Sequence, residues 1–455
     1  AYNNLSVTAA LPDIGNDLGS VELLPWVVTV ERLASAIAVL AIGPMVDSLG
    51  VSTVYLVSML GYIATSVLCA VAPSMAVLIG ARVGQGLAAG GVIGTSLSSI
   101  GLAFDPAVRP KMYAAISAVW GVLGVAGPAV AAVLISLFGW RSIFLVIIPI
   151  GVPATLIGWN RLPGRRAEAE GRADGFDSRG LALITVVTVC LLIGASTPSV
   201  LALVYLAVAG ALAAVYLAHS RRVADPVVRL GHLTGRRWRN IHLTSSLAVA
   251  GGTGASAFLP VYLTGARGFS RGQAAFSVLF MVIGWSLAAW VASRMLERNE
   301  PPHVITRGSL ALTTGSVGAA LAAGFELPVR ILLPCFLVLG SGIGLMTTAG
   351  LALLQSRAEA EEMGRASSAH QFLRSLGFAY GAALSGLVLF GVIGLRIDDV
   401  EAVRQLLGDD GDGAPLSVAA RDALQAGYVA ALTVMAVVAS GTVLSAWRLR
   451  SEPRA

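Results

Sequence analysis

Charged residues are scarce in this sequence. They make up 12% of its 455 residues, whereas hydrophobic residues make up 56%. Soluble domains carry about 25% charged residues, so a soluble globular enzyme is close to excluded, and a disordered chain would need less hydrophobicity and more charge. With a mean hydropathy of +0.79, the composition predicts an all-α polytopic membrane protein.

Lysine and cysteine are also nearly absent. The one lysine, Lys111, follows a proline, so the chain lacks a Walker A loop, which needs Gly-Lys followed by Ser or Thr. The three cysteines, Cys69, Cys190 and Cys335, lie far apart in apolar runs and show no disulfide or metal-binding spacing. Because nucleophile and zinc motifs are missing as well, we expect no enzyme activity, no metal and no cofactor.

Apolar stretches fill most of the chain. A membrane-spanning helix needs about 20 largely apolar residues. The sequence has one partial stretch, 1–16, and thirteen complete ones, which predict fourteen helices. The complete stretches are 23–46, 51–71, 75–100, 112–137, 140–160, 181–196, 199–219, 241–264, 273–293, 305–325, 330–354, 366–393 and 427–448.

The spacing of these stretches predicts two six-helix bundles with two helices between them, as in internally repeated transporters. The predicted regions are an N-terminal bundle at 1–160 with a truncated first helix, a cytoplasmic linker at 161–180, inserted helices 7 and 8 at 181–219, a cytoplasmic loop at 220–240, and a C-terminal bundle at 241–455 with an outer loop at 394–426.

In a chain of this composition, the net charge of +6 indicates basic cytoplasmic loops rather than a nucleic-acid partner. If the N-terminal end lies in the cytoplasm, 21 basic residues fall in inner loops or the C-terminal tail and seven in outer loops. This asymmetry predicts that both termini are cytoplasmic. All basic residues but one are arginine, which is typical of a GC-rich bacterial genome. We therefore expect the bacterial inner (plasma) membrane.

A short turn between predicted helices 2 and 3 carries an acid between two glycines. Gly43 and Gly50 flank Asp47. Glycine permits a tight turn and close helix approach, and Asp47 is placed to cap the N-terminus of the next helix. A simple capped turn would explain the segment equally.

Predicted helix 5 contains small residues and a proline in succession, Gly124, Gly127 and Pro128. Small residues let helices pack closely in lipid, and proline bends a helix. Ordinary glycine-rich packing is the alternative explanation.

Two opposite charges are expected at matching depth in the membrane. Glu31 on helix 2 and Arg82 on helix 4 both lie about 10–12 Å from the outer face at the rise of an α-helix. A buried charge is costly and by default functional. Our hypothesis is that they pair and that Glu31 is the protonatable switch. A purely structural ion pair, with Arg32 as another partner for Glu31, is the alternative.

Five further residues are candidates for lining a cavity. On helix 13, His370 and Arg374 are four residues apart and share a face, and a histidine can titrate near neutral pH. Gln85, Trp120 and Arg32 are the others, because pockets for apolar ligands combine aromatic residues with few polar groups. Packing in the core is the alternative for His370 and Trp120.

Further motifs follow in a characteristic order. They are ALP at 10–12, WVVT at 26–29, RVGQG at 82–86, WR at 140–141, PVYL at 260–263, GFS at 268–270 and GRAS at 364–367. Together with the segments above, this set resembles the fourteen-helix drug:proton antiporter branch of the major facilitator superfamily over essentially the whole chain. The resemblance implies two bundles around a central cavity, alternating access, and proton-coupled export of lipophilic or amphipathic compounds such as drugs.

The resemblance also assigns roles to residues. It makes the segment 43–50 a cytoplasmic gate and the segment 124–128 an antiporter motif that bends. The basic residues that follow the gate in the family are replaced at 51–53. Where the family has a titrating Asp on helix 1, this chain has Asn3. Either Glu31 has taken over proton coupling, or a natural or engineered change has silenced it, or the protein is not proton-coupled.

Two other functions fit the same features. A lipid or cell-envelope precursor exporter of this fold would have an apolar cavity open sideways to the bilayer. A non-transporting membrane sensor or partner subunit would have no central cavity. This alternative is favoured by Asn3 and by the loss of the basic residues that follow the gate in the family. The expected partners are a small lipophilic substrate or a lipid together with membrane lipids, without nucleic acid, and the expected state is a monomer.

Overall fold

The computed structural model describes residues 2–20, 23–105, 107–162, 177–196, 201–223, 226–229, 231, 235–359, 362–397 and 417–451. All regular secondary structure within these ranges is helical, as the composition predicts. Most of the predicted linker 161–180 and of the outer loop 394–426 lies outside the described residues.

The described helices follow the predicted stretches closely. They are α1 (Tyr2–Leu18), α2 (Leu24–Leu49), α3 (Val51–Ala70), α4 (Met75–Ala103), α5 (Arg109–Phe138), α6 (Ser142–Leu145), α7 (Ile147–Arg161), α8 (Ser178–Ser196), α9 (Leu201–Ser220), α10 (Arg236–Ala257), α11 (Leu259–Gly265), α12 (Arg271–Met295), α13 (Pro301–Gly324), α14 (Val329–Arg357), α15 (Met363–Gly394) and α16 (Val418–Ser451).

Two predicted stretches are each built from two helices. The sixth divides into α6 and α7 at Val146, and the ninth divides into α10 and α11 at Phe258. Pro260 lies in the first turn of α11, where a missing N–H is tolerated and a new helix can start. In addition, α16 begins at Val418, inside the segment predicted as an outer loop.

Nine helical stretches are long and apolar enough to cross a membrane within the described part of the chain. Two shorter apolar helices, Ser178–Leu191 and Val204–Ser220, lie in the inserted hairpin. The count of fourteen spans stays a prediction.

The helices associate in two groups. The N-terminal group contains α1–α7, and the C-terminal group contains α10–α16. The groups meet where α2 packs on α15 and where α5 packs on α12, and α8 of the inserted hairpin contacts both α2 and α15. We call the ends predicted to face the cytoplasm the inner ends. The candidate site residues lie along the α2–α15 seam and in the helices beside it.

Candidate functional site

Close packing of α2 against α4 builds the site in the N-terminal group. A Cβ atom at Gly86 would overlap the backbone carbonyl of Glu31, and one at Gly90 would overlap that of Ser35. Glycine at both positions therefore lets the two helix backbones touch. Because Arg82 lies one turn before Gly86 on α4, its side chain reaches α2 beside Glu31.

Arg82 is fully buried, and its guanidinium makes two hydrogen bonds and one ion-pair contact. Its Nε donates to the carbonyl oxygen of Val27 at 2.8 Å, and its Nη1 donates to Oε1 of Gln85. Its Nη2 lies 3.4 Å from Oε2 of Glu31. The ion pair expected from the matching depth of the two charges is therefore present, and neutral acceptors share the solvation of the guanidinium.

Glu31 keeps one oxygen available. The residue is 5% exposed, and its Oε2 has no hydrogen-bond partner among the described residues. The contact with Arg82 at 3.4 Å is thus an ion pair without hydrogen-bond geometry. Arg32 is exposed and takes no part in the pair. Asn3 belongs to α1, but its side chain lies outside the described part of the structure.

Gln85 connects the ion pair to α3. Its Nε2 donates to Oγ of Ser66 at 2.7 Å, and Sγ of Cys69 lies 3.8 Å from its Oε1. Gln85 is buried, so its amide belongs to this network rather than to an open cavity. Sequence reasoning missed Ser66 and Cys69, since a serine or cysteine in an apolar helix has no spacing that marks it.

Asp47 joins the two groups at their inner ends. Its Oδ1 accepts the backbone N–H of Gly364 at 2.9 Å, and its Oδ2 accepts that of Arg365 at 3.2 Å. Asp47 therefore caps the N-terminus of α15, where the first N–H groups have no acceptor within the helix. The expectation that Asp47 caps the following helix is wrong, because α3 begins at Val51 after Gly50 and has no side-chain cap.

Two glycines make this contact possible. A Cβ atom at Gly43 would lie 3.0 Å from the Cα atom of Arg365, and one at Gly364 would overlap Oδ1 of Asp47. Gly50 has a φ of 83°, a left-handed backbone that glycine adopts without strain, and it turns the chain directly from α2 into α3. The turn predicted at 43–50 is therefore mostly wrong, because α2 continues to Leu49. Gly43 and Asp47 make their contacts from within α2, and only Gly50 turns the chain.

A second contact joins the groups through Gln355 of α14, which is buried. Its Nε2 donates to the carbonyl of Leu97 at 2.9 Å, and its Oε1 accepts the hydroxyl of Tyr113. Arg109 adds a hydrogen bond from Nη1 to the carbonyl of Gln355 at 3.2 Å. Sequence analysis missed this set, because polar residues at inner helix ends look like ordinary loop-facing positions.

Helix α5 packs closely against α12 at a glycine. A Cβ atom at Gly121 would overlap Oγ of Ser286, so the two helices are in close contact there. Gly127 is buried, whereas the surroundings of Gly124 and Pro128 lie outside the described residues. The bend expected of this motif stays a prediction.

The remaining cavity candidates divide into exposed and buried ones. Trp120 is 51% exposed. Arg374 is half-buried, and its Nη1 donates to Oε1 of Gln371 at 3.3 Å. His370 is buried instead, with its Nδ1 3.1 Å from Nδ1 of His242 on α10. His242 is a further polar residue that the sequence did not mark.

Hydrogen bonds connect the loop 226–229, which follows the inserted hairpin, to the start of α8. Asp177 accepts the backbone N–H groups of Gly180 at 2.8 Å and of Val227 at 3.2 Å, and its Oδ1 lies 2.7 Å from Nε2 of His219. Burial raises the pKa of Asp177, but the hydrogen bonds outweigh burial, so the pKa of this carboxyl lies below its ordinary value.

This loop also packs on the seam between the groups. Val227 and Val228 share one hydrophobic cluster with Leu40 of α2 and Phe372 of α15. The hydroxyl of Tyr216 on α9 donates to the carbonyl of Val228 at 2.8 Å. The inserted hairpin therefore braces the α2–α15 contact from one side.

Comparison with known proteins agrees with this architecture. "Multidrug transporter protein MdtP" of Bacillus subtilis is 25% identical over 401 residues, which cover 86% of this chain and 72% of that protein. "Multidrug resistance protein B homolog" of Mycobacterium tuberculosis is 29% identical over 389 residues, which cover 82% of this chain and 70% of that protein.

Among solved structures, the human organic anion transporter MFSD10 (TETRAN) aligns with a TM-score of 0.66 at 15% identity, over 98% of this chain and 96% of that one. At this identity the likeness concerns the fold alone. The profile of the Major Facilitator Superfamily matches residues 1–382. The chain therefore belongs to the Major Facilitator Superfamily and is a multi-pass membrane transporter, not an enzyme.

Proposed function

We propose that this protein exports lipophilic or amphipathic compounds in exchange for protons, by alternating access, from the cytoplasm across a bacterial inner membrane. The names of its relatives support the substrate class, since two of them are called multidrug transport or resistance proteins. In this proposal the chain spans the membrane fourteen times, with both termini cytoplasmic.

The observation that carries the proposal is the buried pair of Glu31 and Arg82. Arg82 also donates to Val27 and Gln85, so its guanidinium keeps two neutral acceptors when Glu31 loses its charge. Oε2 of Glu31 has no hydrogen-bond partner among the described residues, and in this proposal it is the atom that a proton occupies. Protonation would therefore break the ion pair without dismantling the network, as a coupling site requires.

The contacts at the inner ends supply the gate of this mechanism. Asp47 and Gln355 each bind across the boundary between the N-terminal and C-terminal groups. A substrate entering from the cytoplasm would have to pass between these ends, so both contacts must break once in each cycle. In this proposal, the described arrangement is the state closed toward the cytoplasm.

The test is transport in proteoliposomes with an imposed pH gradient and a panel of lipophilic cations. The wild type should show substrate-dependent proton flux. Glu31→Gln should lose gradient-driven transport and keep substrate exchange at equilibrium, because substrate binding and alternation remain. Glu326→Gln, at an exposed carboxyl between α13 and α14, is the matched control and should behave as the wild type.

Wild-type proton flux in Glu31→Gln would remove Glu31 from the coupling mechanism. An absence of flux in the wild type with every compound would refute drug:proton antiport. Lipid that co-purifies with such a protein would then favour the lipid exporter.

A further inference from the structure

A histidine pair joins α10 to α15 inside the C-terminal group. His242 and His370 are both buried. Their Nδ1 atoms are 3.1 Å apart, and their ring centroids are 5.3 Å apart with an interplanar angle of 37°. Nε2 of His370 has no hydrogen-bond partner among the described residues. The pair lies two turns from the end of α15 that Asp47 caps.

The distance between the two Nδ1 atoms determines how many protons the pair can hold. In the neutral pair, one Nδ1–H donates to the lone pair of the other Nδ1. One additional proton makes one ring cationic and preserves the same bond, which then becomes charge-assisted and stronger. A second additional proton would place two N–H groups of two cations against each other. The pair therefore accepts one proton and resists another.

Several elements surround the pair. On α15, Arg374 lies one turn beyond His370, and a fixed cation there opposes each additional positive charge on the pair. From α2, Asp47 forms an ion pair with Arg365 in the first turn of α15, with Oδ2 and Nη1 3.9 Å apart. Close to the two histidines along their helices, Gln355 of α14 donates to Ser367 of α15, and Ser445 of α16 accepts a hydrogen bond from Thr244 of α10. Ile184 of α8 shares a hydrophobic cluster with Phe372 of α15.

The backbones of α10 and α15 are in contact beyond the pair. A Cβ atom at Gly377 would lie 2.6 Å from the carbonyl oxygen of Ser246, and one at Gly381 would overlap the carbonyl of Ala250. Because the two helices are held this closely, the Nδ1 atoms stay within hydrogen-bond distance. A change in their shared bond therefore acts on α15, the helix that Asp47 holds.

We propose that His242 and His370 form a one-proton binding site in the C-terminal group, separate from Glu31 and filled and emptied during transport. The inference rests on the proposed proton coupling for its place in the cycle. The site itself rests on the geometry of the two rings.

The first test does not need a substrate. Full-length protein labelled with ¹⁵N in its histidine rings would be titrated from about pH 3 to 9, a range that extends well below the ordinary histidine pKa. Two rings of the wild type should titrate together in a single one-proton step. His370→Gln should abolish that step and shift the remaining His242 signal, and His242→Gln should do the reverse.

His303→Gln is the matched control, because His303 is exposed on α13. It should remove one independent signal and leave the coupled step unchanged. Two independent titrations in the wild type, or no titration of the buried rings, would overturn the proposal. The wild-type spectrum decides this even if a variant fails to fold.

The second test counts protons exchanged per substrate in proteoliposomes. Each single variant should lose about one proton per cycle and retain substrate exchange at equilibrium, and the double variant should lose no more than either single one. Wild-type stoichiometry in the variants would refute a role of the pair in transport. A wild type that couples no protons, but still shows the joint titration, would refute the proposed function and leave the proton site standing.

Discussion

Replacing Asp47 with asparagine should open the inner end of the protein. Asp47 accepts hydrogen bonds from the second and third residues of α15, Gly364 and Arg365. Their N–H groups have no acceptor within the helix, and the positive end of the helix dipole adds to the attraction for a carboxylate. An asparagine side chain offers one uncharged oxygen in place of two charged ones.

The size of the effect follows from the number of bonds. A hydrogen bond to a charged group contributes about 1.5–3 kcal/mol and a neutral one about 1 kcal/mol. Asp47→Asn loses one such bond and weakens the other, so we expect a loss of about 2–5 kcal/mol. Since 1.4 kcal/mol is a factor of ten, the equilibrium between closed and open inner ends should shift by at least about 30-fold. A closed state favoured about 100:1 would then become comparable in population to the open one.

Spin labels on the two groups would measure this shift. Ala107 and Arg298 are exposed at the inner ends of opposite groups, and they can carry labels after the three native cysteines are replaced with alanine. Electron–electron double resonance should show a new population at longer distance in Asp47→Asn. Asp105→Asn, at an exposed carboxyl between α4 and α5, should not show it. An unchanged distance distribution, or the same change in both variants, would refute the capping argument.

Two further predictions concern packing and pH. Gly86→Ala would place a methyl group against the carbonyl of Glu31 and should cost about 1–3 kcal/mol of stability, seen as a lower unfolding temperature together with weaker proton-driven transport. Gly210→Ala, where the added atom meets open space, should change neither, and equal melting curves for both variants would contradict the close packing. Because the pKa of Asp177 is lowered from its usual 3.8 in the folded protein, its contacts should stabilise the loop 226–229 above that value and lose this effect as the pH falls through the folded-state pKa. Hydrogen exchange of 226–229 should therefore rise in acid and, in Asp177→Asn, be raised already at neutral pH; identical exchange in both proteins would exclude this role.

Composition was sufficient for the fold class, because a lipid environment leaves a chain this apolar few alternatives to helices. The positions of the helices followed from the lengths of the apolar stretches. The breaks at Val146 and Phe258 did not follow, since both lie inside continuous apolar runs. The early start of α16 was hidden for a related reason, because the first residues of that helix, from Val418 onward, include charges that resemble a loop.

The sequence predicted residues of the candidate site only where a charged side chain interrupts an apolar helix. Glu31 and Arg82 stand out because charge is rare at such depth, and their equal depth predicted the pairing. His242 lies 128 positions from His370, and the backbone N–H that Asp47 caps lies 317 positions away. Spacing along the chain carries no information about such distant partners. The sequence therefore led to the wrong prediction that Asp47 caps the next helix, α3.

In the proposed mechanism, each of the two helices of the seam combines a proton-accepting group with one half of the gate. On α2, Glu31 and Asp47 are sixteen residues apart, which is about 24 Å along a continuous helix. On α15, His370 lies two turns from the N-terminus that Asp47 binds. Neutralising Glu31 would remove one of the two contacts between α2 and Arg82 of α4 and leave the hydrogen bond to Val27. Proton uptake by the histidine pair would strengthen the bond between α15 and α10. Protonation at either site would therefore change how α2 or α15 is held within its own group. Both changes would act on the contact between α2 and α15.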